Sequence, residues 1–516
     1  MKNNILFLLV IISSFGFAQK LDWGTVNKGE RAYTFNVLKD DSGNIYSIKF
    51  NQKKRYYVVD KHNAKLELKA TIQLLPKKVL PKKAEVIDIE FVRNELVVIF
   101  QIKDKKAKTT KVYKQAIESK NLTTVFNDHK LLCEISLGKR GESNFTFLKQ
   151  NKHFVIVGTS LVDEKLKQNR ITICFNEGLK EKWRIKGKTA FTFKETEEIT
   201  SSFISKSGDY YNVIKKLIPK KERHAEGAIF KSYIEKTNSS GTILKHLSVK
   251  KFASSAEFIQ HQNKLKIIGT YSFDQADESR GVFCAISGFN LERITVSSSD
   301  FGIDFIKSNI LNRESRRLER KETKAIKKSN ISKLPTIDYL KINSLIKNED
   351  GSVIVITEVS YDKLFIETVY DANGNERRVN KHYFIRGVVC VFKLNSNGGL
   401  IWKVKVPKYQ VEENFRLNTG IIAAKKENQL LIFYNDHKDN FLKQDGYLKL
   451  MSNTFRDGCL AFSTINLTTG AFDIKMLTRY NTSKQFIMPV RDAIQIGDIV
   501  MPGGSGKKQS LVRINL

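Results

Sequence analysis

The chain has 516 residues, 41% hydrophobic and 28% charged, a composition that can bury a core and excludes a disordered or collagen-like polymer. Its 88 Lys and Arg against 54 Asp and Glu give a formal charge of +34, which favours polyanions in general without marking a site. Five cysteines, Cys133, Cys174, Cys284, Cys390 and Cys459, are an odd number with no CxxC pair, which excludes a complete disulfide framework; small buried hydrophobes are their expected role.

At the amino end, Lys2, an apolar stretch from Ile5 to Phe17 and the small residues of Gly16-Phe17-Ala18 read as a signal peptide over residues 1–18, cut between Ala18 and Gln19. The expected location is periplasmic or secreted. No later window reaches 18 uninterrupted apolar residues, so no transmembrane segment is expected in the mature chain.

From Phe35 onward one phrase recurs: an apolar strand, a tight polar turn and a second strand that is almost wholly apolar. The copies are Phe35 to Phe50, Ile89 to Ile102, Phe145 to Ser160, Phe203 to Ile214, Phe258 to Ser272, Ile342 to Glu358, Ile421 to Tyr434 and Ala493 to Gly503. The turn markers Gly43, Asn94, Asn151, Gly208, Asn263, Gly351, Asn428 and Gly497 are separated by 51, 57, 57, 55, 88, 77 and 69 residues, periods typical of repeated supersecondary units. Runs such as Val97-Val98-Ile99-Phe100 and Val353-Ile354-Val355-Ile356 do not alternate with polar residues, so both faces of each sheet must be covered. A second hairpin lies between the copies, cleanest at Gly387 to Val406 around Asn395 to Gly399, and seven of these are complete. After Gly497 only Ser510 to Leu516 supplies a strand, and the mature amino terminus offers the missing one in Lys20 to Val26. Trp23 then matches Trp183 and Trp402 in outer strands. An open ring leaves strand edges unpaired. The pattern therefore predicts an all-β fold, a β-propeller of eight four-stranded blades closed by the N-terminal strand pairing in the last blade, with seven blades as the alternative.

Residues 19–516 read as one propeller domain with two interruptions. Residues 301–335 carry Phe301, Phe305, Ile306 and Ile310 at helical spacing, then a run from Arg313 to Lys328 with eight basic and three acidic residues, expected to form a basic, partly helical insertion. Asn373-Gly374 within the polar stretch 362–382 predicts a protruding hairpin.

The hairpin VFKLNSNGGLIWKVKVPK resembles the repeat of uncharacterised exported bacterial β-propeller proteins, with Gly178 to Trp183 the next best copy. The resemblance implies a propeller and an envelope or secreted location, and no activity. Ile465 to Lys475 is also similar, weakly, to one turn of the quinoprotein-type propeller repeat, with Ile474 near the position of a docking Trp.

Chemistry-bearing patterns are sparse. The eight histidines, His62, His129, His153, His224, His246, His261, His382 and His437, stand singly without HExxH or CxxC spacing, and neither a metal nor a cofactor is expected. Asn435 to Asn440 gathers Asp436, His437 and Asp439, but Lys438 intrudes, and a solvated turn is the expected reading. Gly503 to Lys508 has Met501 where a phosphate loop needs its first Gly and Lys508 where it needs Ser or Thr, and reads as a turn. No GxSxG elbow occurs. The basic insertion supplies the candidate site: Arg313, Arg316, Arg317, Arg320, Lys321, Lys324, Lys327 and Lys328 as a polyanion contact, Arg being suited to bidentate phosphate or sulfate.

The leading expectation is an exported, non-enzymatic, monomeric propeller that binds a protein or an acidic polymer such as a glycan or lipopolysaccharide through rim loops and the insertion. No specific nucleic acid is expected. The alternative is an enzyme, a hydrolase or lyase, with its active site at the central channel; a structural envelope component is the third possibility.

Overall fold

A computed structural model describes residues 21–24, 32–51, 53–93, 95–104, 106–124, 128–136, 143–160, 167–192, 194–219, 229–249, 252–273, 277–309, 312–328, 333–370, 375–413, 419–442, 449, 451, 458–479, 486–487, 494–496, 498–505 and 508–516. The leader reading of residues 1–18 lies outside them. No helix among the described residues is long and apolar enough to cross a membrane.

Among the described residues, eight antiparallel sheets of four or five strands follow one another along the chain. The first sets the pattern: Ala32–Lys39, Ile45–Asn51, Tyr56–His62 and Leu68–Leu74 pair in chain order. Tight turns join the strands, and at Gly208 (φ +91°) and Gly351 (φ +78°) the left-handed backbone is one that a side chain would strain.

The continuous apolar runs are explained by two-sided burial. In the strand Glu95–Asp104, Leu96, Val98 and Phe100 pack with Tyr46 and Ile48 of the first sheet, while Val97 and Ile99 pack with Ile156 and Ile173 of the third. The same division recurs at Val353–Tyr370, where Val353 and Val355 face the fifth sheet and Ile354 and Ile356 face the seventh. Successive side chains on a strand point to opposite faces, so each run fills two interfaces at once. Neighbouring sheets also dock through the tryptophan of an outer strand: Trp402 packs on Gly470 and donates from Nε1 to the Leu467 carbonyl at 3.3 Å.

The last sheet joins the two ends of the described chain. Leu21–Trp23 pairs antiparallel with Lys508–Ile514, Trp23 lying opposite Val512, and the Gly24 amide donates to the Leu511 carbonyl at 2.9 Å. Val500 and Leu511 of this sheet share a core with Val37, Ile45 and Leu66 of the first. Sheets stacked in sequence, each covered on both faces, form a β-propeller. The five cysteines are free and buried. One local expectation is corrected: Asn435 and Asp436 belong to the strand Gln429–His437 and are 0% and 1% exposed, because the register sets Asp436 opposite Cys459 instead of in a solvated turn.

Three elements gather beside the sixth sheet. Between the fifth and sixth sheets run helices α1 (Ile303–Lys307) and α2 (Asn312–Lys327). Helix α2 has Glu314 in its first turn and Lys324 and Lys327 in its last, complementing the helix dipole, and it buries Leu318 and Ala325, two turns apart on one face. Ion pairs tether it, Lys307 to Glu322 at 3.0 Å and Lys321 to Glu278 at 2.9 Å. Second, the strands Val353–Tyr370 and Glu376–Leu394 continue past the sheet as a ribbon that stays in register from Ser360–Arg386 to Tyr370–Glu376. Third, the short strand Gln410–Glu413 returns to pair with the base of that ribbon at Tyr383 to Arg386.

Candidate active site

These elements line a half-open cavity of about 1270 Å³, walled by α2, by Thr336 to Tyr339, by the base of the ribbon and by Lys405 to Tyr409. Ile306, Leu318, Ile337, Val359 and Val388 make part of its lining apolar, and charged and phenolic groups share the rest, the mix usual in a ligand site.

Glu314 projects from the first turn of α2 into the cavity. Its side chain keeps 41% exposure because it looks onto the cavity, yet the enclosing walls strip enough water to raise its carboxyl above the ordinary range. Arg317 and Lys405 oppose that rise and the neighbouring Asp338 carboxylate adds to it. Arg317 lies 3.2 Å from Asp338 Oδ2 and 3.7 Å from Glu314 Oε1, and the Thr336 hydroxyl donates to Asp338 Oδ1 at 3.1 Å. The two carboxyls therefore share one arginine but differ in support, Asp338 being directly hydrogen-bonded and Glu314 being the one pushed toward its neutral form.

Facing them are three phenols. Tyr339 and Tyr361 stack with centroids 4.4 Å apart. The hydroxyls of Tyr361 and Tyr409 share a hydrogen bond, and burial raises all three phenols, so they serve as hydrogen-bond donors and ring surfaces rather than as bases.

Buried cations secure the remaining wall. Lys405, 3% exposed, donates to the carbonyls of Ile306 at 2.8 Å and Ser308 at 2.9 Å, capping the end of α1. Lys408, 0% exposed, donates to Glu358 Oε1 at 2.6 Å and Gln410 Oε1 at 2.9 Å. Arg386 holds Asp362, another lining residue, at 3.2 Å from both terminal nitrogens.

The basic residues singled out from the sequence divide between two settings. Arg316, Arg317 and Arg320 line the cavity, and Lys321 turns inward to Glu278 and to Thr336 Oγ1 at 3.3 Å. Lys324 and Lys327 lie on the outer stripe of α2, Lys328 follows in the turn after it, and Arg320 borders both settings. Arg313 is in the helix, with its side chain outside what is described. The sequence reading passed over Glu314, Asp338, Tyr339, Tyr361, Lys405 and Tyr409. Glu314 sat inside the run counted as basic; the others come from three separate segments, and no spacing could have joined them.

No family model and no curated protein matches the chain. Among solved structures, the β-propeller domain of the Trilobed protease from Pyrococcus furiosus is similar at 11% identity, over 87% of this chain and 96% of that one, with a TM-score of 0.34. The α-L-arabinofuranosidase Arb93A from Fusarium graminearum is similar at 9% identity, over 71% and 97% of the two chains, with a TM-score of 0.30. An α-L-arabinanase from Penicillium chrysogenum is similar at 10% identity, over 55% and 98%, with a TM-score of 0.28. These likenesses concern the propeller fold, and none extends to quinoprotein-type repeats or to export. The expectation of a non-enzymatic binding protein finds no support among them: the solved structures matched include glycoside hydrolases and peptidases, a likeness of fold that assigns this chain no activity. What this chain does is argued from its own cavity.

Proposed function

We propose that the protein is a hydrolase of glycosidic bonds, with its active site in the cavity between α2 and the ribbon. The observation that carries this reading is the carboxyl pair: Glu314, recessed and raised toward neutrality, beside Asp338, hydrogen-bonded by Thr336 and paired with Arg317. Glycoside hydrolysis asks for one carboxylic acid that protonates the leaving oxygen and one carboxylate that acts as nucleophile or base. Glu314 takes the first role and Asp338 the second. The stacked Tyr339 and Tyr361 offer a ring surface for the apolar face of a sugar, and the phenol hydroxyls donate to its oxygens. Acyl transfer is less well served, because the described lining contains no Ser, Cys or His to act as nucleophile or base.

The same proposal takes the eight sheets as eight blades around one axis, closed by the Leu21–Trp23 strand; its support is the pairing of Trp23 with Val512 and the core shared by the first and last sheets. The Lys2 to Ala18 leader pattern supports export to the periplasm or medium. The amino-terminal residue of the recovered protein tests the leader.

The activity is tested by incubating the full chain with xylan, arabinan, pectin, mixed-linkage glucan and alginate and measuring new reducing ends. The proposal expects release from at least one polymer and a loss of about 10²–10⁴-fold in Glu314→Gln, the contribution typical of a general acid. No release from any polymer, or equal release by the variant, overturns it.

A further inference from the structure

We propose that the cavity-facing side of the ribbon is an extended binding platform for a glycan chain, so that the substrate is a polymer held over several sugar units. This inference rests on the hydrolase reading and adds the length and conformation of what is bound.

Tyr361, Asp362 and Lys363 all line the cavity at the base of the ribbon, and because residues two apart on a strand share a face, Phe365 follows Tyr361 and Lys363 along one of the two faces. On the partner strand, Tyr383 lies opposite Lys363 and Lys381 opposite Phe365. Phe365 and Tyr383 meet edge to face, 5.4 Å between centroids at 83°, and Lys363 Nζ sits 4.4 Å from the centroid of the Phe365 ring. Opposite Phe365, Lys381 is pinned by Glu367, two residues further along the ribbon, at 2.5 Å and by Glu413 at 3.8 Å. The surface leading out of the cavity therefore reads as rings, a cation, rings again, then a fixed ion pair. At about 3.3 Å per residue, Tyr361 and Phe365 are roughly 13 Å apart, a span of two to three sugar rings in an extended chain.

Folding alone does not account for this surface. A two-stranded ribbon with both faces in water is marginal by itself. Phe365 keeps 42% exposure there, and nothing in the propeller requires strands as long as the 18 and 19 residues of Val353–Tyr370 and Glu376–Leu394. Aromatic rings spaced along a rigid strand, continuous with a cavity that holds an acid pair, suit pyranose or furanose rings, whose C–H faces pack on aromatic faces while their hydroxyls reach charged neighbours.

The test compares wild type, Phe365→Ala/Tyr383→Ala and Glu314→Gln, first checked for the same circular dichroism spectrum. Each is assayed on the polymer found above and on its disaccharide, and by mobility in native gels containing the polymer. The inference expects the ratio of kcat/KM for polymer to that for disaccharide to fall about tenfold in the ribbon variant, through KM, with gel retardation lost. Glu314→Gln should lose turnover on both substrates and keep its retardation. An unchanged ratio with retardation intact overturns the platform while leaving the hydrolase reading standing. A wild type that neither cleaves nor is retarded by any glycan overturns both.

Discussion

Asp436 provides a test of the fold's electrostatics that is independent of any substrate. It is 1% exposed, and its Oδ1 accepts from the His437 amide at 2.8 Å and Asn440 Nδ2 at 2.9 Å. Burial lifts its pKa from the ordinary 3.8 to about 7, those two hydrogen bonds and the nearby Lys408 only partly opposing the rise. A carboxyl whose folded pKa lies above its unfolded one binds its proton more tightly in the native state, so its contribution to stability is complete below about pH 4 and is lost as pH climbs through about 7. About three pKa units at about 1.36 kcal/mol each give at most about 4 kcal/mol. With an unfolding entropy of about 2.1 cal/mol/K per residue, a chain of 516 residues loses about 1 kcal/mol per degree, so that energy corresponds to about 4 °C. Asp436→Asn keeps the accepting oxygen and removes the charge. Scanning calorimetry of both proteins from pH 4 to pH 8 should find Tm values that coincide at pH 4, with the variant pulling ahead steadily to about 4 °C at pH 8. A gap that does not change with pH would mean that the Asp436 carboxyl does not titrate as a buried acid.

Removing Lys408 should strand the Glu358 carboxylate, which is itself 5% exposed, and lower stability by about 3–5 kcal/mol in Lys408→Met; Lys408→Met/Glu358→Leu should recover most of it, as read from urea midpoints. Burial pushes the thiols of Cys174, Cys284 and Cys390 up to about 11 and that of Cys133 up to about 12. At pH 8 the folded protein should therefore expose no thiol to a disulfide reagent, and all five should react in guanidinium. A folded protein that reacts at one or more cysteines would contradict the burial.

Much of the propeller is written locally. Val353 to Ile356 cannot satisfy one face of a sheet alone, so an unbroken apolar run announces neighbours on both sides, and the turns at Gly208 and Gly351 mark where each hairpin reverses. Ser510 to Leu516 leaves a hairpin one strand short in the sequence, and the strand Leu21–Trp23 pairs beside it. Asp436 was misread for a physical reason: Asn and Asp favour turns by their local hydrogen bonds, and here the register of the strand and the burial of its face overrode that preference. The site was illegible because its members share no period. Glu314 becomes an acid candidate only when Lys405 and Tyr409, some ninety residues on, wall the cavity beside it, and a helix face read by charge alone conceals the one helix carboxyl among the cavity's lining residues.

In the proposed hydrolysis Glu314 gives its proton to a departing sugar oxygen. The direct measurement is the rate of Glu314→Gln on two substrates of the same sugar, one with a poor leaving group such as the natural polymer and one with 2,4-dinitrophenolate, which departs without protonation. If Glu314 is the acid, the loss should be about 10²–10⁴-fold on the polymer and much smaller on the dinitrophenyl glycoside. Equal losses on both would contradict it.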